Sequence, residues 1–163
     1  MRFEDILTND DVLDGLWDMH FDECTPIQEQ AIPIIMEGRD LLACAQTGTG
    51  KTAAYLLPVI NMLADGGYPD DAINCIVMAP TRELAQQIDR QLQGFAYFMP
   101  VSGMAIYGGT DGHTYDQQRR SLKMGADVVI ATPGRSLMRL RPAMLPLRQL
   151  SSSWMARLSL RMV

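Results

Sequence analysis

The sequence predicts an α/β domain built on a parallel sheet with helices on both faces, and three features carry that expectation. Short apolar runs recur along the chain at Asp40–Cys44, Ile73–Met78, Ser102–Tyr107 and Asp127–Ala131. Stretches with helical periodicity fill the gaps between them. A glycine-rich turn joins the first run to the helix after it. Strands that alternate with helices leave room for parallel crossovers, which bury the sheet on both sides.

The elements follow in order. From Asp10 to His20, the residues Val12, Leu13, Leu16, Trp17 and His20 fall on one helical face with acids opposite. A second helix starts near Pro26, where proline suits the first turn, points Ile27, Ala31, Ile34 and Ile35 inward, and closes at Gly38. Asp40–Cys44 reads as a buried strand ending in the glycine-rich turn. Helices are expected over 50–64, with a break or kink at Pro58, over 82–98, with Leu84, Ile88 and Leu92 inward, and over 114–124. No repeat or low-complexity tract precedes residue 136.

Composition narrows the class. The chain has 163 residues, 47% of them hydrophobic, enough for one domain with a sizeable core. No run approaches the roughly 20 apolar residues of a membrane helix, and Met1-Arg2-Phe3-Glu4-Asp5 is not the start of a secretory signal. Cys24, Cys44 and Cys75 are odd in number and widely spaced, which fits reduced, mostly buried thiols of a cytoplasmic protein. All 19 acidic residues lie in positions 1–135 beside nine basic ones, leaving that segment at −10. Any contact with nucleic acid must then be local and geometric, since the overall field repels phosphate.

The chemistry sits in three strand-to-helix turns. Ala45-Gln46-Thr47-Gly48-Thr49-Gly50-Lys51-Thr52 has the context of a phosphate-binding loop. Its glycines let backbone N–H groups converge on phosphate oxygens, Lys51 reaches the β/γ-phosphates, and the Thr52 hydroxyl takes a place on Mg²⁺. The plain alternative is a glycine-rich turn without a ligand. Pro80-Thr81-Arg82-Glu83-Leu84 and Thr132-Pro133-Gly134-Arg135 each place a capping Thr and an Arg at a helix start on the carboxyl edge of the sheet, where a phosphate backbone can sit. Either one alone reads equally well as an ordinary turn with a solvated Arg.

Together these segments are similar to those of one family. Phe21-Asp22-Glu23-Cys24-Thr25-Pro26-Ile27-Gln28 resembles the Q motif of DEAD-box RNA helicases, with Phe3 as its upstream aromatic. Ala45–Thr52 looks like motif I, Pro80–Leu84 like motif Ia, Gly108-Gly109 like the GG motif and Thr132–Arg135 like motif Ib. The resemblance covers residues 1–135 in the family's order. It implies an incomplete RecA-like, P-loop NTPase domain that binds ATP and Mg²⁺. Gln28 would hold the adenine edge, with Thr25 beside it and Phe3 stacked on the ring. Pro80, Thr81, Arg82, Gly108, Gly109, Thr132, Pro133, Gly134 and Arg135 would grip the sugar-phosphate backbone of RNA, which the full-length parent unwinds. His20 stands where the family has Gly, and Cys24 where it has Pro.

The chain departs from the family at its far end. It contains no Asp-Glu-Ala-Asp segment, no Ser-Ala-Thr motif and no second domain with arginine fingers, so no catalytic residue is retained. Residues 136–163 hold seven Leu, five Arg, five Ser and four Met without an acid or a lysine. Leu, Arg and Ser are the amino acids with six codons, so this tail reads as translation out of frame after Arg135. The alternative is a real basic tail for RNA or a membrane surface. The expected function is that of an ATP-dependent RNA helicase's amino-terminal part. The competing expectation is an inactive nucleotide- or RNA-binding fragment, or an inert one. The family's strand order also implies that Leu41–Cys44 lacks the neighbour that would follow the Asp-Glu-Ala-Asp strand.

Overall fold

The computed structural model describes residues 1–69, 72–107 and 125–133. A 3-10 turn, Phe3–Asp5, is followed by α1 (Asp10–Asp18), α2 (Pro26–Met36), α3 (Lys51–Ala64), β1 (Cys75–Met78), α4 (Arg82–Phe95), β2 (Gly103–Ile106) and β3 (Val128–Ala131). The expected helix over 114–124 lies outside the described residues. The described residues divide into two compact units, one holding 1–67 and 91–101 and the other 68–69, 72–90, 102–107 and 125–133.

The second unit contains a parallel sheet in the order β1-β3-β2. β3 is central, with Val128 opposite both Cys75 and Gly103, and Ala131 opposite both Met78 and Ile106. All four of its residues are fully buried, as the apolar run Val-Val-Ile-Ala requires of a strand paired on two sides. One carboxylate organises the opposite end of the sheet. Asp127 accepts from Asn74 Nδ2 at 2.9 Å and from both the backbone N–H and the hydroxyl of Ser102 at 2.9 Å. It therefore joins the starts of β1, β2 and β3, and nothing in the hydrophobic pattern announced it.

In the first unit α2 and α3 pack together, and α3 is buried at every position from Ala53 to Asn61. Of the break or kink expected at Pro58, the break does not occur: α3 runs from Lys51 to Ala64 with the proline buried inside it. Packing on every side outweighs the single hydrogen bond that proline removes. Asn61 is fully buried with all four amide positions used. Its oxygen accepts from the N–H groups of Thr8 (3.0 Å) and Asn9 (3.1 Å), and its nitrogen donates to Thr8 Oγ1 (3.0 Å) and Asp65 Oδ2 (2.9 Å). The loop before α1 is thereby fixed to α3.

Three inward faces need correction. On α1, Val12 and Leu16 are buried, but Trp17 is 74% exposed and His20 is exposed. Gly15 takes the inner place, because a Cβ there would meet the Phe95 carbonyl oxygen at 2.6 Å. On α2 the buried residues are Gln28, Ala31, Ile32 and Ile35, while Ile27 and Ile34 are half-buried. On α4 the buried stripe is Ala85, Ile88, Leu92 and Phe95, with Leu84 only half-buried. The largest departure is Asp40–Cys44, which forms no strand among the described residues: Leu42 is 77% exposed and Cys44 is exposed. A strand needs a ladder, and no described segment supplies one. Of the three thiols expected to be mostly buried, only Cys75 is.

Candidate nucleotide site and phosphate-backbone edge

The loop between residue 44 and α3 has the backbone a phosphate cradle needs. Gly48 and Gly50 take φ of 80° and 84°, a region that favours glycine. Gly50 is required twice over, since a Cβ there would also strike the Gln28 amide nitrogen and approach Thr25 Oγ1 at 3.2 Å. Gly50 is the N-cap of α3, so no side-chain oxygen closes the helix, and its first turn carries no acid. The open N–H groups and the positive end of the helix dipole both favour an anion there. The Lys51 ammonium donates to the carbonyls of Ala45 and, at 3.0 Å, of Gln46, and Thr49 Oγ1 donates to Gln46 O at 2.8 Å. A cation folded onto its own loop's carbonyls is a cation within reach of any phosphate that enters. Thr47 is exposed, and Thr52 is half-buried in the first turn of α3. This donor set fits a polyphosphate with its metal: an ammonium, free helix N–H groups and a hydroxyl beside them.

The segment Thr25–Gln28 is joined to that loop. Thr25 caps α2 and donates its hydroxyl proton to Thr49 O at 2.9 Å. Gln28, only 1% exposed, accepts from Thr25 N–H at 2.8 Å through Oε1 and donates to Gly50 O at 3.1 Å through Nε2. An amide has two donors and two acceptor lone pairs, so one of each remains on Gln28 after these bonds. The residues Thr25, Gln28, Thr49 and Gly50, expected from the sequence to share a site, are in direct contact. Phe3 is not part of that contact. It is buried, its ring 6.5 Å from that of Phe21. It lines a separate cleft of about 390 Å³ with Leu16, Trp17 and Phe21, to which neither Gln28 nor the loop 45–52 contributes.

In the second unit, the register of the sheet brings the ends of all three strands level. Pro80, Thr81 and Arg82 follow β1, Tyr107 follows β2, and Thr132 and Pro133 follow β3. Thr81 caps α4 by accepting from Leu84 N–H at 3.2 Å, and Thr132 donates its N–H to Ile106 O at 3.2 Å. Gly108, Gly109, Gly134 and Arg135 lie outside the described residues. Sequence reasoning missed Tyr107: the Arg82 guanidinium lies 4.5 Å from its ring centroid, and Gln86 Nε2 donates to its hydroxyl at 3.0 Å. The aromatic just before the glycine pair was the available signal.

Comparison with known proteins gives a consistent picture. Residues 25–155 match the model of the DEAD/DEAH box helicase family. The chain is 43% identical to the probable ATP-dependent RNA helicase ddx3 of Dictyostelium discoideum over 82% of its own length and 20% of the relative's. It is 40% identical to the ATP-dependent RNA helicase CshA of Listeria monocytogenes, covering 83% of this chain and 25% of that one. Against the ATP-dependent RNA helicase DeaD of Klebsiella pneumoniae it is 40% identical, over 91% and 22% respectively. The chain thus spans a fifth to a quarter of the length of these relatives. No described helix is long and apolar enough to cross a membrane.

Proposed function

Because the chain belongs to the DEAD/DEAH box helicase family, we propose that it supplies the adenine-nucleotide site and part of the RNA-backbone site of an ATP-dependent RNA helicase. The observation that carries this is the pair of bonds from Thr25 and Gln28 to the carbonyls of Thr49 and Gly50. They tie a base-reading amide to a phosphate loop. Lys51 and the first N–H groups of α3 would hold the β- and γ-phosphates, and Thr52 would hold Mg²⁺. The remaining donor and acceptor of Gln28 match the N6/N7 edge of adenine. When bound, ATP and its metal supply the phosphoanhydride and the charge neutralisation that hydrolysis needs. Pro80, Thr81, Arg82, Thr132 and Pro133, with the glycine pair and Arg135, would position an RNA strand by its phosphates.

Equilibrium binding of fluorescent ADP and GDP to the 163-residue chain tests this reading. Adenine should be preferred, Gln28→Ala should remove the preference, and Lys51→Ala should weaken both nucleotides. Equal binding of the two bases by the unsubstituted protein would refute the role of Gln28. With no Asp-Glu-Ala-Asp segment present, the chain should not hydrolyse ATP at a measurable rate. RNA-stimulated phosphate release abolished by Lys51→Ala would overturn that expectation.

For residues 136–163 the proposal is an out-of-frame origin in a cytoplasmic helicase, supported by their Leu, Arg and Ser bias. The family match, running to residue 155, favours a genuine continuation instead. The downstream DNA separates the two: codons for Asp-Glu-Ala-Asp in another frame establish the shift, and their absence removes it.

A further inference from the structure

Arg82 is exposed, on the first turn of α4, at the sheet edge where the RNA backbone is proposed to lie. An exposed arginine normally samples many rotamers, and binding a phosphate must stop that motion. Here it is already restrained. Its guanidinium carbon lies 4.5 Å from the centroid of the Tyr107 ring, within the range of a cation–π contact. The ring is itself held at both ends. Its backbone follows β2, whose last residue, Ile106, is buried and accepts from Thr132 N–H. Its hydroxyl accepts from Gln86, which sits one turn beyond Arg82 on α4. Strand, helix and ring form a closed frame around one cation.

We propose that Tyr107 is a positioning residue for RNA: it fixes the plane of the Arg82 guanidinium so that the in-plane N–H edges meet a phosphodiester. The inference rests on the RNA-backbone reading of this edge and adds to it. A guanidinium with one face on a ring keeps its in-plane fork of donors free, which is the arrangement a bidentate phosphate contact uses. Tyr107 contributes no charge, so it acts on affinity without changing the number of phosphates neutralised.

The test is anisotropy of a short fluorescein-labelled oligouridine on the 163-residue chain across a salt series. Arg82→Ala should weaken binding and lower the salt slope by about 0.7, the value for one phosphate on a single strand. Tyr107→Leu should weaken binding about 2- to 5-fold, the range of an exposed cation–π contact, with the slope unchanged. Tyr107→Phe, which keeps the ring but gives up the hydroxyl's bond to Gln86, should weaken binding less than Tyr107→Leu does. In an Arg82→Ala background, Tyr107→Leu should have no further effect. A Tyr107→Leu protein that binds normally, or an effect that persists without Arg82, overturns the proposal while leaving the RNA reading intact. Failure of the unsubstituted chain to bind oligouridine removes both. The NMR shift of Arg82 Hε is independent of RNA and of any variant's folding. A ring-current displacement supports the hold, and a position among the other arginines overturns it.

Discussion

Leu41–Cys44 and Val128–Ala131 are two short apolar runs, each feeding a turn proposed to bind phosphate, and the fold treats them in opposite ways. Val128–Ala131 is the central strand of a parallel sheet, paired on both sides and wholly buried. Leu41–Cys44 has no ladder among the described residues, and its Leu42 is 77% exposed. Composition accounts for part of the difference. Val and Ile suit a pleated, half-crowded surface better than Leu, Ala and Cys do. Neighbours account for most of it. β3 receives β1 and β2 on its flanks and the Asp127 carboxylate at its start, whereas no described strand flanks the run at 41–44. An apolar run is a request for a strand, and the sheet decides whether it is granted.

The largest expected effect comes from attacking the better-held side. Ile130→Ala should cost about 2–5 kcal/mol, the range for truncating a buried aliphatic side chain, read as a shift of the urea midpoint at unchanged slope. A loss below 0.5 kcal/mol would mean that the sheet is not closely packed and that the contrast between the two runs is false. Asn61→Leu comes next. It is nearly isosteric but leaves the N–H groups of Thr8 and Asn9 without their acceptor, and because Thr8 is exposed and Asn9 half-buried the loss should be about 1–3 kcal/mol in all. Asn61→Asp restores the acceptor and removes both donors beside Asp65, so recovery of stability by that change would show that the amide donors contribute little.

These outcomes bear on what could be read from the sequence. The helices were legible because periodicity and end signals agree: Pro26 and Thr25 start α2, and Gly50 starts α3. Three strands were legible as apolar runs, and the described parts of two motifs, Pro80–Arg82 and Thr132–Pro133, follow strands as expected. What escaped was everything set by polar atoms acting across long separations in the chain. Asn61, Asp127 and the Tyr107–Gln86 pair each hold residues far away in sequence, and no local pattern marks a side chain for that task. Trp17 escaped for a different reason. Gly15 lets α1 approach residue 95 so closely that the helix turns the tryptophan outward.

A smaller effect concerns the end of α1. His20 adopts φ 59°, while Phe21 N–H reaches back to Leu16 O at 2.9 Å, a helix ending that glycine normally serves. A side chain in the left-handed region costs roughly 1–2 kcal/mol, partly offset by the greater freedom of glycine when unfolded. His20→Gly should therefore stabilise the first unit by about 1 kcal/mol. Because this change lies outside the sheet, hydrogen exchange at Val128–Ala131 should not slow with it. Uniform slowing would mean that the two units unfold as one.

The smallest effect on stability gives the sharpest view of the comparison, because each run carries a thiol next to it or within it. Cys44 ends the unpaired run and is exposed. Cys75 opens β1, opposite Val128, and burial pushes its thiol up to about 12. Leu42→Ser should change the unfolding midpoint by less than about 0.5 kcal/mol, since an exposed side chain has little packing to lose. The same change should raise the concentration at which the protein stays soluble, because it removes an apolar residue from an unpaired segment. Iodoacetamide at mildly alkaline pH, followed by peptide mass analysis, then reads the two runs directly. Only the thiolate reacts, and only where reagent can reach it. Cys44 should label first. Cys24, half-buried and raised to about 11, should follow. Cys75 should label only as fast as the sheet opens, so Ile130→Ala should accelerate Cys75 and leave Cys44 unchanged. Protection of Cys44 equal to that of Cys75 would show that residues 41–44 are covered in solution, and the contrast would then have to be abandoned.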